Sequence, residues 1–191
     1  MTEVTMPRRI VIKGTSGAGK TTLGAELARR LGVPWIELDG LHHRENWSVE
    51  PIEVFRARVR AAMAEAPDGW VIDGNYDTKL GDTVVREADT IVWLDLPLPL
   101  KLYRAVRRTV SHIRNDVELW NGNREDWWNC FAARDSLFPY LISAHRRHRR
   151  DWPARFAGDP RVIRLRSDRE VRAWLDERTS ASSGERLRRV L

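Results

Sequence analysis

Cys130 is the one cysteine among 191 residues, which excludes an internal disulfide and any zinc site built on several cysteines. Long apolar runs are missing too. The longest, residues 91–100, is interrupted by Asp95, Pro97 and Pro99, so nothing in it could span a bilayer and no membrane partner is expected. No secretory signal precedes the first strand-like run, since Pro7, Arg8 and Arg9 lead straight into it, and the expected location is the cytoplasm. No internal repeat, recognised DNA-binding motif or guanine-reading Asn-Lys-x-Asp motif is present, and the last absence favours adenine over guanine as a ligand base.

What is there suits a globular chain: 42% hydrophobic and 31% charged residues exclude a disordered composition. The length allows one sizeable core, and two domains would each be small; we expect one domain over 1–178 and a flexible Ser- and Arg-rich tail over 179–191. The net charge is +6, and residues 101–161 hold thirteen Lys/Arg against seven Asp/Glu. That basic stretch fits either a nucleic-acid-binding face or an arginine-rich lid and surface handling nucleotide phosphates, and the second reading is favoured.

Strand-like runs alternate with helical periodicity. Residues 9–13 are β-branched and end at Gly14; Leu23, Leu27 and Leu31 recur at four-residue spacing until Gly32, a strand followed by a helix with a glycine C-cap. Further strands are expected at 35–39, 70–73, 90–95 and 161–165. Helices are expected at 51–66 (Val54, Phe55, Val59, Ala62 and Met63 on one face), 100–113, 134–150 and 168–177. The tryptophan-rich stretch 115–129 lacks periodicity and reads as part of a loop or mobile lid at about 114–133. The expected fold class is α/β: a three-layer arrangement with a five-stranded parallel sheet, helices on both faces, and ligands at the carboxyl ends of the strands.

Between the first strand and first helix lies Gly14-Thr15-Ser16-Gly17-Ala18-Gly19-Lys20-Thr21, then Thr22. It fits Gly, four residues, Gly-Lys-Ser/Thr in the strand–loop–helix context that gives the pattern meaning. Glycines let the backbone turn tightly and aim successive N–H groups inward as an anion nest, to which the helix N-terminus adds partial positive charge. Lys20 is expected to reach the β- and γ-phosphates of ATP, and the Thr21 hydroxyl to ligate Mg²⁺.

Three aspartates stand at or near strand ends. Asp73 is either a metal-site carboxylate or a strand-terminating turn residue, with function favoured because Gly74-Asn75 follows; Asp95 has the same two readings. Asp39 either orients or deprotonates an acceptor hydroxyl or serves as a turn-forming Asp-Gly. His42 and His43 read as a solvated pair rather than a metal site. Trp47, Trp120, Trp127 and Trp128 either stack on a ligand or pack a lid on the core. Of Arg104, Arg107, Arg108, Arg114, Arg124 and Arg134, the expected transition-state arginines are Arg107 and Arg108.

The loop 14–21, Leu38-Asp39, the Trp70-Val-Ile-Asp-Gly-Asn-Tyr76 box and Val92-Trp-Leu-Asp-Leu-Pro97 together resemble the adenylate-kinase-related P-loop proteins often labelled topology modulation proteins, over most of residues 8–110. The resemblance implies a nucleotide- or nucleoside-kinase-like core, an acceptor region after the second strand, and an arginine-bearing lid. It also implies that Asp73 helps hold Mg²⁺ through water and that Arg166 and Ser167 border adenine. Asn75-Tyr76 stands where adenylate kinases carry a Phe-Pro-Arg segment, a departure that argues against an AMP acceptor. The function expected is ATP-dependent phosphotransfer to a small acceptor such as a nucleoside, nucleotide or other polar metabolite. The rivals are an ATP-switched nucleic-acid-binding regulator and an ATPase without an acceptor.

Overall fold

The β-branched runs form strands where expected. The computed structural model describes residues 8–132 and 136–178, with β1 (Arg9–Lys13), β2 (Trp35–Glu37), β3 (Trp70–Asp73), β4 (Thr90–Leu94) and β5 (Val162–Leu165). They pair in parallel in the order β2-β3-β1-β4-β5. Parallel neighbours need crossovers, and helices supply them: α1 (Lys20–Leu31), α2 (Leu38–His42), α3 (Ile52–Ala64), α4 (Asp77–Leu80), α5 (Thr83–Glu87), α6 (Leu98–Arg114), α7 (Leu137–Arg155) and α8 at 168–178.

Successive strand residues face opposite sides of the sheet, and the core divides accordingly. Val11, Trp70, Ile72, Ile91 and Trp93 pack with Phe55, Val59 and Met63 of α3 and Trp152 of α7. Ile10, Ile12, Val71, Val92 and Leu94 pack on the other side with Leu23, Leu27 and Leu31 of α1 and Trp174 and Leu175 of α8. Trp70 and Phe55 are fully enclosed in these layers, each worth about 1.5–3 kcal/mol in apolar transfer. Gly32 ends α1 in the left-handed conformation, its N–H bonded to Ala28 O, as the C-cap reading requires.

Several expectations need correction. β2 stops at Glu37 and the chain turns at once into α2, so Asp39 lies in a helical first turn and not at a strand end. Val54 is 45% exposed while Phe55, Val59 and Met63 are buried and Ala62 packs against the same core, so of the expected face only Val54 turns away from it. Residues 77–80 and 83–87, for which no element was expected, form α4 and α5, and residues 120–122 within the presumed loop form a 3₁₀ turn. The seventh helix begins and ends later than expected, at Leu137 and Arg155, with Pro153 inside its last turn. The tail 179–191 and Arg134 fall outside the described residues.

Candidate functional site

Side-chain alternation at the strand ends determines what meets the glycine-rich loop. In β2 and β3, Ile36 and Ile72 belong to the α3 side, so Trp35, Glu37, Val71 and Asp73 face α1. Glu37 and Asp73 are register partners, which sets two carboxylates side by side above the start of α1. The Thr21 hydroxyl lies 3.3 Å from Glu37 Oε1. Asp73 is fully buried; its Oδ2 accepts from Trp35 Nε1 at 3.2 Å, and its Oδ1 has no partner. Gly24 makes room for this pair, since a Cβ there would stand 2.8 Å from Trp35 Nε1 and 3.3 Å from Asp73 Oδ2.

Burial drives the Asp73 carboxyl up to about 7, with Glu37 pushing the same way and the Lys20 ammonium opposing. Glu37 is also raised, chiefly by burial. Two adjacent desolvated carboxylates, one with an orphaned oxygen, have the Lys20 ammonium nearby but no cation in direct contact among the described residues. Mg²⁺ held by one or two carboxylates together with a hydroxyl and phosphate oxygens meets that need, so the residues present fit the metal. No group of three or more His, Cys, Asp or Glu able to hold a metal by itself occurs among the described residues.

The loop from Gly14 to Gly19 is built without side-chain obstruction. Gly17 and Gly19 have φ of 73° and 89°, and a Cβ on Gly17 would strike the Lys101 carbonyl of α6; only glycine fits there. Ala18 N–H bonds Thr15 O at 3.1 Å, and the buried Thr15 hydroxyl has no partner. Lys20 and Thr21 open α1, whose first turn has neither a side-chain cap nor an acidic residue, leaving its N–H groups free for an anion. Ser16 accepts a hydrogen bond from Arg108 Nη2 at 3.1 Å, while Thr22 is exposed on α1.

Asp39, in the first turn of α2, accepts a 2.5 Å hydrogen bond from the Tyr76 hydroxyl. The Tyr76 ring packs on His42 and Phe55, and Lys79 Nζ meets His42 Nε2 at 2.7 Å. His42 is only 3% exposed, which corrects the expectation of a solvated pair: burial, aided by Lys79, keeps its pKa below the usual histidine value.

The aromatic stretch docks on this region through two hairpins of one form. Arg44 N–H bonds Ser48 O and Ser48 N–H bonds Glu45 O; Leu119 and Asn123 repeat the pattern with Trp120. Each turn carries an asparagine at φ 56°, Asn46 and Asn121, a residue that tolerates the left-handed region. Asn121 Nδ2 donates to His43 O at 2.5 Å, Asn123 Nδ2 to Arg44 O at 2.8 Å, and Trp47 Nε1 to Arg124 O at 3.0 Å. Trp120 lies against Gly40 and donates from Nε1 to Glu37 Oε2 at 2.5 Å. Trp127 and Trp128 are 52% and 72% exposed.

Of the arginines, Arg108 reaches the loop. Arg107 is exposed and makes no hydrogen bond or ion pair among the described residues, because it lies one helical step further round α6. Arg104 pairs with Asp168 at 2.6 Å and Arg124 with Asp116. Asp95 is held by Arg164 at 2.6 Å, with Arg149 at 3.7 Å, so its charge is answered within the protein. Arg166 is exposed in the turn before α8; its N–H bonds Glu170, and Ser167 and Glu170 close a capping box. Sequence reasoning missed Glu37 and gave Tyr76 no role of its own, while Trp120 was among the four tryptophans it named. The period-two pattern over 35–37 could have found the first, because it sets Glu37 on the same face as Asp73.

A nucleotide-phosphate loop on the central strand, carboxylates at the neighbouring strand ends and the 2-3-1-4-5 order define the class: the chain belongs to the P-loop kinases of the adenylate-kinase-like group. Within that group it belongs with the shikimate kinase family, whose model matches residues 16–66. It is 34% identical over 112 residues to the shikimate kinase of Moorella thermoacetica, covering 52% of this chain and 65% of that one. To the shikimate kinase of Symbiobacterium thermophilum it is 31% identical over 120 residues, covering 55% of this chain and 67% of the other. The solved shikimate kinase of Acinetobacter baumannii in complex with shikimate is similar in fold, with a TM-score of 0.51 at 20% identity over 96% of each chain.

Proposed function

We propose that the protein transfers the γ-phosphoryl group of ATP to a hydroxyl of a small polar metabolite. The observation that carries this reading is the pair of in-register carboxylates, Glu37 and Asp73, above Thr21, with an orphaned oxygen on the buried Asp73. Thr21, Glu37 and Asp73 would hold Mg²⁺, which supplies neutralisation of phosphate charge when bound. The N–H groups of Gly14, Thr15, Ser16, Gly17, Ala18 and Gly19 and the Lys20 ammonium bind the phosphates, Arg108 adds charge over Ser16, and Arg166 lies where the base would emerge.

Asp39 orients the acceptor hydroxyl and accepts its proton, with Tyr76 holding the carboxylate in place. The paired hairpins over Glu37 and Gly40 act as the lid, excluding water from the transfer. The family relationship supports a small hydroxylated acceptor, and shikimate is the first compound to test. We place the activity in the cytoplasm; no helix among the described residues is long and apolar enough to cross a membrane.

The test is ATP consumption with Mg²⁺ across shikimate, gluconate, nucleosides and nucleoside monophosphates, each against an acceptor-free control. One acceptor should raise turnover well above the control. ATP consumption that no acceptor stimulates would refute the kinase reading in favour of a hydrolase, and stimulation by DNA alone would favour a nucleic-acid switch.

A further inference from the structure

The chain after β3 is brought back against the start of the glycine-rich loop by contacts that have nothing to do with a ligand. Gly74 has φ 138° and lies so close to Leu38 that a Cβ would stand 2.8 Å from that side chain. Its carbonyl accepts from the fully buried Lys13 Nζ at 3.1 Å, and the same ammonium pairs with Asp77 at 2.6 Å. Asn75, fixed between these anchors, meets Gly14 with both ends of its amide. Gly14 N–H donates to Asn75 Oδ1 at 3.2 Å, and Asn75 Nδ2 donates to Gly14 O at 2.6 Å. The two-point match determines the amide orientation, because the flipped form would set donor against donor and acceptor against acceptor.

We infer that Asn75 is a positioning residue for the nucleotide-phosphate loop, acting through Gly14 and not by touching the nucleotide. In a trans peptide the C=O and the following N–H lie in one plane and point in opposite directions. Holding the Gly14 carbonyl toward Asn75 therefore turns the Thr15 N–H away from it, and so orients one of the loop's first donors. A loop free to rotate this peptide would lose conformational entropy each time a phosphate bound; the clamp settles that cost during folding. The inference rests on the reading of residues 14–21 as a nucleotide loop.

Two substitutions in the full-length protein test it. Asn75→Ala removes both bonds. Asn75→Asp keeps the acceptor for Gly14 N–H but sets a carboxylate oxygen, which cannot donate, against Gly14 O. Affinity for ATP is measured by calorimetry at pH 8, each variant expressed as a ratio to wild type, with thermal midpoints recorded in parallel.

The expected result is at least tenfold weaker ATP binding for Asn75→Ala. For Asn75→Asp the loss is at least as large, and at saturating ATP kcat falls less than the affinity for both variants. Wild-type affinity in both folded variants overturns the inference alone. Wild-type protein that fails to bind ATP overturns the nucleotide reading and this inference with it.

Discussion

Replacing Asp73 by Asn should make the free protein more stable at neutral and alkaline pH while removing most of its activity. In the fold the carboxyl is fully buried, one oxygen has no partner, and burial raises its pKa from 3.8 to about 7. Between those values the folded protein holds a proton that the unfolded chain has released, so wild-type stability falls as pH rises from about 4 to about 7. At about 1.4 kcal/mol per pKa unit the full difference has a ceiling of about 4 kcal/mol above pH 7. Water entering beside the orphaned oxygen reduces this, and about 2 kcal/mol is the working figure.

For a chain of this length that is about 4–8 °C in Tm. The assay is thermal unfolding of wild type and Asp73→Asn without nucleotide or metal at pH 5 and pH 8. The variant should lead by several degrees at pH 8 and by much less at pH 5, and its phosphotransfer should drop at least about 100-fold. A variant that melts with or below wild type at pH 8 would refute the argument that Asp73 is an uncompensated buried charge.

Arg108→Ala should lower kcat about tenfold or more, since the guanidinium sits on Ser16 where phosphate charge would gather, whereas Arg107→Ala should stay within about twofold; steady-state kinetics on both variants separates them. Trp120→Phe keeps an aromatic ring but removes the indole donor to Glu37, a charge-assisted bond worth about 1.5–3 kcal/mol, so limited proteolysis should cut residues 115–129 faster than in the wild type. Phe55→Ala, at a fully buried position, should cost about 3–5 kcal/mol in chemical denaturation.

The loop 14–21 and the alternating β-branched and four-spaced apolar runs were legible in the sequence because each is a local pattern with one structural solution. Helices α4 and α5 were not, since four or five residues are too few to show a period. The sequence around Glu37 and Asp39 reads as one strand, Trp35 to Asp39, because nothing local announces that β2 ends after three residues. Once it does, Glu37 becomes the partner of Asp73 and Asp39 passes to a helix facing Tyr76.

The arginines of α6 look alike in sequence. Which one reaches Ser16 and which pairs with Asp168 depends on the packing of α6 against the loop and α8. The matching hairpins at 44–48 and 119–123 share one asparagine in the left-handed region but little else, and their docking is a long-range contact that no window of sequence contains.

The central claim is that this chain moves a phosphoryl group to an organic hydroxyl. The direct measurement is to incubate the protein with γ-³²P-ATP, Mg²⁺ and a mixture of small hydroxylated metabolites, then separate the products. The account predicts label in an organic phosphate ester, lost when Lys20 is changed to Ala in a variant that remains folded. Label recovered only as inorganic phosphate, or an ester formed equally well by Lys20→Ala, would contradict it.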